Sequence, residues 1–288
     1  MRVENFKNSK RQKVSDSIIE KFPSITYSNV RKMLRQKDIK INGKRISEDL
    51  IINSDDEVLF YINEIREMKV DVVYEDENIV IAFKPKKIET VSEDGLLDFV
   101  SAASNTCGSK CFAVHRLDRN TEGLVVFAKN EKTKQSLDAA FKNRTIHKFY
   151  LALVYGRLEK QSDNMVAYLK KYSDKSFVEI SDNKKAGFEK IQTNYKLIKS
   201  HNDLSLVEVE LVTGKTHQIR AHFAHIGHFL IGDEKYGDSA VNKIFKKKYQ
   251  CLCAYKIIFS FDENDFLSYL NGKEILIDES KIDFCRNV

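Results

Sequence analysis

The order of strand-like and helix-like segments constrains the fold of this chain more than any other feature of its sequence. Residues 70–85, VDVVYEDENIVIAFKP, predict two strands around an acidic turn. Further strands are predicted at residues 124–128, 147–155, 191–198 and 204–212, and helices at 132–142 and 216–226. This irregular order, with hairpin-like spacing, favours an α+β domain on a largely antiparallel sheet over a regularly alternating α/β fold.

Composition is typical of an ordinary folded protein. Of the 288 residues, 42% are hydrophobic, and only 2 are Pro and 11 are Gly, which excludes low-complexity and collagen-like chains. The longest apolar runs, such as residues 149–155, are too short for a membrane-spanning helix, and the polar residues 1–17 lack the apolar core of a secretory signal. Five cysteines without a CxxC pair indicate reduced thiols. We therefore expect a cytoplasmic protein that does not enter membranes.

A cluster of cations lies near the N-terminus. Residues 31–45, RKMLRQKDIKINGKR, contain seven Lys or Arg and one acid, whereas the whole chain carries a net charge of +6. The pattern predicts a helix with its apolar side chains on one face, followed by two short strands joined by a tight turn at Asn42-Gly43. By charge alone, this cluster fits either an RNA-binding surface or an ordinary solvated helix face.

Residues 15–62 resemble the alpha-L RNA-binding motif of the ribosomal protein S-four type, in which a basic helix and a hairpin bind folded RNA. The resemblance implies a small N-terminal α/β domain over residues 1–66 and a second domain over residues 67–288, with the boundary in the polar stretch 63–69. A rigid face of cations contacts phosphates and positions RNA without reading its sequence. The cations expected to contact RNA are Arg31, Lys32, Arg35, Lys37, Lys40, Lys44 and Arg45.

One polar segment, AVHRLDRNTEGLVVFAK at residues 113–129, is the main candidate for catalysis. The sequence contains no phosphate-binding loop, dinucleotide-binding, serine-hydrolase or zinc-protease motif. Asp118 lies between Arg116 and Arg119, directly before an apolar strand, and nearby guanidinium groups favour an ionised carboxylate that can act as nucleophile or base. From the charge pattern alone, a surface ion pair without a catalytic role is the alternative.

The string HRLDRNTEGLVVFAK, residues 115–129, resembles the signature of the RluA-type RNA pseudouridine synthases. Blocks at residues 72–85, 147–156, 211–237 and 251–261 are similar to further family segments, in the expected order. The resemblance implies an isomerase that converts uridine to pseudouridine in RNA, closest to the enzymes that act on large-subunit (23S) ribosomal RNA. It also implies a mixed, largely antiparallel catalytic domain and no cofactor or metal, and we expect a monomer.

The same resemblance implies roles for individual residues. Asp118 matches the catalytic aspartate, Tyr150 the tyrosine that stacks on the uracil and helps to deprotonate it, and Arg220 the arginine that pairs with the aspartate. Arg116 matches an arginine that contacts RNA and fills the gap left by the flipped base, and Arg119 is expected to bind RNA beside it. Without the resemblance, Tyr150 is readily explained as a core aromatic residue and Arg220 as a solvated helix charge.

Two segments depart from the family pattern. Glu122 replaces the usual Ser, and KPKKIET at residues 84–90 replaces a more glycine-rich sequence, which leaves the local loop geometry open. Residues 158–190 carry no recognisable chemistry and are expected to form a solvated hairpin or a variable insertion.

Other interpretations remain open at this point. The substrate could be transfer RNA, or the chain could be a non-catalytic RNA-binding ribosome-assembly protein. A third alternative is an aspartate-nucleophile hydrolase or phosphotransferase, but the sequence shows neither the phosphate loop nor the metal-binding acids that such an enzyme would need. Four histidines at positions 217, 222, 225 and 228 suggest a metal site, although no matched Glu or Cys accompanies them. His217 and Gln218 are instead expected to organise the start of the predicted helix.

Overall fold

The chain contains two units, and each is described by itself. The computed structural model describes residues 2–22, 25, 27–62, 70–92, 98–172 and 177–287. Cα positions group residues 1–69 with 91–106, and residues 70–90 with 107–288. The predicted boundary between residues 66 and 67 lies outside the described residues and stays a prediction. No helix in the described ranges is long and apolar enough to cross a membrane.

The first unit contains a small antiparallel sheet and short helices before residue 62. Its elements there are β1 (Arg2–Lys7), β2 (Gln12–Lys13), α1 (Val14–Lys21), α2 (Tyr27–Arg35), β3 (Ile39–Ile41), β4 (Lys44–Ile46), β5 (Ile51–Ile52) and β6 (Glu57–Ile62). The sheet order is β1-β6-β3-β4, and β2 pairs with β5. Ile18, Val30 and Phe60 are buried in a shared core. Asn42 and Gly43 adopt left-handed conformations, with φ of 49° and 79°, which suit the predicted two-residue turn between β3 and β4.

The second unit is built on one large sheet. Its strands are β7 (Asp71–Glu75), β8 (Ile79–Lys84), β9 (Phe112–Ala113), β10 (Glu122–Ala128), β11 (Ile146–Tyr155), β12 (Ser162–Tyr172), β13 (Phe177–Ser181), β14 (Glu189–His201), β15 (Leu204–Leu211), β16 (Leu252–Phe259) and β17 (Glu274–Leu276). The order is β13-β12-β14-β15-β11-β16-β10-β8-β7, with β17 paired to β16 and β9 to β10. The helices of this unit are α4 (Glu131–Asn143), α5 (Gln218–His225) and α6 (Ser239–Ile244), whereas α3 (Phe99–Cys107) falls in the first unit except for its last residue.

A parallel contact joins two strands in the middle of this largely antiparallel sheet. Gly123 of β10 lies opposite Ala254 of β16, and the φ of Gly123 is 125°. A Cβ atom on Gly123 would lie 2.2 Å from the carbonyl oxygen of Ala254, so no larger residue fits this close approach. A glycine is therefore required at position 123 for a structural reason, because it allows β10, the strand that follows Asp118, to pair with β16.

Helices pack on the sheet at two places that position the site. Leu137 of α4 packs in a large core with Leu124 of β10 and Leu151 of β11. Ala221 of α5 packs in a smaller core with buried residues of β12, β13 and β14, among them Leu169. The expected α+β fold on a largely antiparallel sheet is confirmed. Within residues 158–190, β12 and β13 pair as the predicted hairpin, and residues 173–176 lie outside the described residues. One face of these strands packs against α5 and is not solvated.

Candidate active site

Asp118 lies in the loop before β10, on the wall of a cavity of about 450 Å³. Its carbonyl oxygen accepts a hydrogen bond of 3.0 Å from the amide of Thr121, whose hydroxyl accepts one of 3.2 Å from Gln250. On the other side, the amide of Leu117 donates to the hydroxyl of Thr90 at 3.1 Å. These bonds fix the backbone on both sides of Asp118, while its side chain is 26% exposed.

Arg220 of α5 connects Asp118 to a second carboxylate. Its Nη1 donates to Oδ2 of Asp118 at 2.8 Å, and its Nε and Nη2 donate to Asp233 at 2.7 and 2.9 Å. Burial disfavours the charged guanidinium, but the hydrogen bonds and charges of Asp233 and Asp118 outweigh it and raise the pKa of Arg220. Arg220 is 7% exposed, so the alternative of a solvated helix charge is wrong.

Asp233 is fully buried and was not identified from the sequence. Burial would raise the pKa of its carboxyl group, but the paired Arg220 and the backbone amides of Lys235 and Tyr236 outweigh burial and lower it. Asp233 is therefore a permanent anion that fixes the orientation of the guanidinium. In the sequence it lies within GDEKYG, where an acid between glycines is typical of an ordinary turn.

Tyr150 of β11 lines the same cavity as Asp118. The ladder between β11 and β16 shifts register at this point, since Tyr255 is an extra residue in β16 and Tyr150 pairs with Ala254. Burial and the negative charge of Asp118 raise the pKa of Tyr150, so its phenol is neutral at neutral pH. The ring offers a wall on which a base can stack.

His217 and Tyr236 form a further contact beside Arg220. Nδ1 of His217 lies 3.0 Å from the hydroxyl of Tyr236, and its Nε2 lies 3.9 Å from Oδ2 of Asp118. The Arg220 guanidinium lies 5.3 Å from the centre of the Tyr236 ring. Burial lowers the pKa of His217 in spite of Asp118, which favours a neutral imidazole. Gln218, in contrast, organises the helix start as expected, since its side-chain oxygen accepts from the amide of Lys215 at 3.1 Å.

Two lysines near the site also escaped the sequence analysis. Lys84 is fully buried at the end of β8, and its ammonium donates to three loop carbonyl groups at 2.9 to 3.3 Å, one of them that of Arg119. Lys148 lines the cavity from the same strand face as Tyr150, two residues away. Burial lowers the pKa of each lysine to about 8. Both lysines lie in segments that resemble apolar strands, and nothing in the sequence of these segments predicts that the lysines are buried.

Of the remaining residues of the HRLDR string, one has a structural role and two are exposed at the surface. Nε2 of His115 accepts a hydrogen bond of 2.9 Å from the amide of Val126, and burial lowers the pKa of His115 to about 3. Arg116 is exposed and lines the cavity. Arg119 is exposed as well, and its Nε donates to the carbonyl oxygen of Lys87 at 3.3 Å. Both arginines also line a second, basic groove that borders Asp118.

The two departures from the family pattern meet in space. Nζ of Lys86 lies 3.0 Å from Oε1 of Glu122, and the two side chains are 24% and 18% exposed. The acid in place of Ser and the lysine-rich loop therefore form one ion pair at the start of β10.

In the first unit, most of the predicted RNA-contacting cations are at the surface. Lys40 is half-buried, whereas the exposed side chains are those of Arg31, Lys32, Arg35, Lys37, Lys44 and Arg45. Lys40 and Arg45 lie 5.5 and 5.8 Å from the centre of the Tyr61 ring. This surface has the charge expected of an RNA-binding face, and its function stays a prediction.

Two histidines of the predicted cluster have separate hydrogen-bond partners. Nδ1 of His222 lies 3.0 Å from the hydroxyl of Thr193, and Nε2 of His225 lies 2.8 Å from Oδ1 of Asp182. Among the residues whose placement is described, no group of three or more His, Cys, Asp or Glu side chains is arranged to hold a metal ion.

Comparisons with known proteins agree on one family. Residues 78–225 match the family model described as RNA pseudouridylate synthase. A ribosomal large subunit pseudouridine synthase C of Rickettsia bellii is 31% identical over 267 residues, which cover 83% of this chain and 86% of the relative. An uncharacterised RNA pseudouridine synthase of Mycoplasma genitalium is 28% identical and covers 96% of this chain and 94% of its own. The solved structure titled Human RNA Pseudouridylate Synthase Domain Containing 1 shares the fold, with a TM-score of 0.58, 19% identity and coverage of 79% of this chain and 98% of its own.

Proposed function

Because the chain belongs to the RNA pseudouridylate synthase family, whose members are isomerases of RNA uridine, we propose that it converts specific uridines to pseudouridine in large-subunit ribosomal RNA. One observation carries the proposal: the Asp118 carboxylate is held at 2.8 Å by Arg220 in a cavity that Tyr150 also lines. The choice of ribosomal RNA is supported by relatives named as large-subunit enzymes.

The reaction requires a base to leave its ribose and return in a new orientation. The C1′–N1 bond of uridine breaks, a C1′–C5 bond forms, and the proton of C5 is lost while N1 gains one. The target nucleotide must be flipped out of its stack to reach the cavity, whose volume of about 450 Å³ suits a single nucleoside.

Asp118 is the proposed catalytic residue. A carboxylate can start the reaction by attacking C1′ or by removing a ribose proton, and both routes need the ionised form. The Arg220 hydrogen bond holds one carboxylate oxygen of Asp118 and leaves the other for the substrate. Asp233 keeps Arg220 in place, and the neutral ring of His217 leaves this charge balance unchanged.

Tyr150 and Arg116 are proposed to hold the flipped nucleotide. The Tyr150 ring stacks on the uracil, an interaction worth roughly 1–3 kcal/mol per base, and keeps the detached base in the cavity. Its neutral phenol donates its proton to N1 of the detached base and takes up the proton of C5, so that the hydroxyl is restored at the end of the reaction. Arg116, at the exposed rim, occupies the gap in the RNA stack. The cations of the first unit, from Arg31 to Arg45, contact phosphates of the folded substrate.

Tritium release tests this proposal. A large-subunit ribosomal RNA transcript labelled with tritium at C5 of uridine is incubated with the protein and EDTA. Wild type releases tritium, Asp118→Asn is slower by at least about 1,000-fold, and Glu263→Gln, which removes an exposed acid, behaves as wild type. Release from transfer RNA alone would reassign the substrate. Tight binding of both RNAs without release would refute the enzymatic proposal.

A further inference from the structure

A basic groove lies beside the first cavity and shares Asp118 and Arg116 with it. The groove has a volume of about 810 Å³. Within the described part of the chain, its cationic side chains outnumber its acidic ones. Arg220 is already held by Asp118 and Asp233, and Lys215 pairs with Glu189; the other cations of the groove are Arg116, Arg119, Lys171, Lys235 and Lys248. These cations come from segments far apart in the sequence. Their positive charges repel one another in the folded protein, and a bound polyanion would reduce that repulsion.

The groove continues onto the end of α6. A neighbouring cavity of about 620 Å³ shares Glu234 and Lys248 with the groove, and it is lined further by Lys243, Lys246 and Lys247. Lys247 is engaged elsewhere, since its Nζ lies 2.8 Å from Oδ2 of Asp283. We call the remaining lysines together with the exposed isoleucine of this helix the α6 surface, which consists of Lys243, Ile244, Lys246 and Lys248.

Two features of the α6 surface are costly for an ordinary helix end. Lys246 follows the helix with a left-handed φ of 51°, a position where glycine avoids the strain that a side chain brings. Ile244 exposes 73% of its surface beside these lysines. Favourable interaction with the helix dipole accounts for a lysine near a helix end, but not for an exposed isoleucine or a lysine in the glycine position.

We propose that the α6 surface binds the RNA strand that flanks the target uridine, with Lys243, Lys246 and Lys248 contacting phosphates and Ile244 contacting a base or ribose. This inference rests on the proposed function, because the flipped nucleotide in the cavity places the adjoining strand beside Asp118 and in the basic groove. From the groove, the shared residue Lys248 leads the strand onto α6.

The test is the salt dependence of RNA binding by Lys243→Ala combined with Lys246→Gly. The glycine removes a charge and also relieves the left-handed backbone, so a loss of affinity does not arise from unfolding; the thermal midpoint reports this directly. The matched control is Lys184→Ala with Lys281→Ala, which removes two exposed lysines that line none of these cavities.

We expect the slope of log K against log salt to fall by about 1.4 for the α6 pair, since each phosphate contact on single-stranded RNA contributes about 0.7. KM for the labelled transcript rises roughly tenfold while kcat is retained, and the control matches wild type in both. An unchanged slope, or a fall in kcat alone, would overturn the inference. If wild type binds RNA but releases no tritium, the proposed function fails, and the slope still decides whether RNA contacts α6.

Discussion

Asp233 accepts two hydrogen bonds from Arg220, of 2.7 Å from Nε and 2.9 Å from Nη2, and leaves Nη1 directed at Asp118. The bidentate pair is buried, whereas the Asp118 side chain is 26% exposed. The buried Asp233 therefore orients Arg220, and Arg220 in turn positions the carboxylate of Asp118, which lines the cavity.

Asp233→Asn is expected to impair both catalysis and stability. An amide cannot balance the buried guanidinium, so the free energy of unfolding falls by about 3–5 kcal/mol. A displaced Arg220 also misplaces Asp118, and kcat falls by about 100-fold. Urea unfolding and tritium release measure the two effects, with the exposed Asp71→Asn as control. Wild-type kcat in folded Asp233→Asn would contradict the orienting role.

The sequence predicted the members of this site that belong to recognisable strings, and it missed those that support them. Asp118 and Tyr150 lie in segments whose residue order carries a family signal. Asp233 and Lys84 act through burial and hydrogen bonds to distant segments, which no local pattern encodes. The predicted strands and helices agree with the structure to within a few residues, because apolar periodicity marks them. The packing of the β12–β13 hairpin against α5 depends on tertiary contacts, and no local sequence pattern predicts it.

Tyr150→Phe and Tyr150→Leu separate the ring from the hydroxyl. Phe keeps the stacking surface, so KM for RNA changes little, while loss of proton exchange lowers kcat by about 100-fold or more. Leu loses the aromatic face as well, and binding weakens by a further 1–3 kcal/mol or so. Steady-state tritium release measures both constants. Equal activity of Tyr150→Phe and wild type would show that the hydroxyl takes no part in the reaction.

His115 makes the protein sensitive to acid. Burial lowers the pKa of His115 to about 3, whereas the unfolded side chain titrates near its ordinary value of about 6.5. Between these values the unfolded chain binds a proton that the folded chain does not, so stability falls as the pH drops from 6.5 toward 3.

His115→Gln, which keeps an acceptor for the amide of Val126, should remove this contribution. The difference in unfolding free energy between wild type and variant then changes by about 1.4 kcal/mol per pH unit between about pH 6 and 4. The other titrating groups are common to both proteins and cancel. Urea unfolding at several pH values measures the difference, and a pH-independent difference would show that His115 binds a proton in the folded state.

Gly123→Ala tests the close approach of β10 and β16. The new methyl group would lie 2.2 Å from a backbone oxygen of Ala254, so the two strands must separate. We expect a loss of more than about 2 kcal/mol in unfolding free energy. Gly272→Ala is the matched control, because Gly272 also has a positive φ, of 69°, but no atom within 4 Å of an added Cβ; it should lose only about 1 kcal/mol. Equal losses of unfolding free energy in the two variants would mean that backbone strain at a positive φ causes the effect, and not the contact with Ala254.

The ion pair between Lys86 and Glu122 joins the two segments that depart from the family pattern. The side chains are 24% and 18% exposed and lie 3.0 Å apart, so each partly desolvated charge depends on the other. A serine at position 122 would leave Lys86 without this partner, and an uncharged residue at position 86 would leave the acid unbalanced beside β16. The two side chains are therefore expected to be energetically coupled.

A double-mutant cycle of Lys86→Met and Glu122→Gln measures that coupling. Each single change removes one charge and leaves the other partly buried, so each lowers the unfolding free energy, while the double variant loses less than the sum. We expect a coupling energy of about 1–2 kcal/mol, larger than that of an exposed pair. Lys160→Met with Asp163→Asn, a pair at 2.7 Å whose lysine is 66% exposed, provides the exposed reference. Additive effects at Lys86 and Glu122 would show that the ion pair does not contribute to stability.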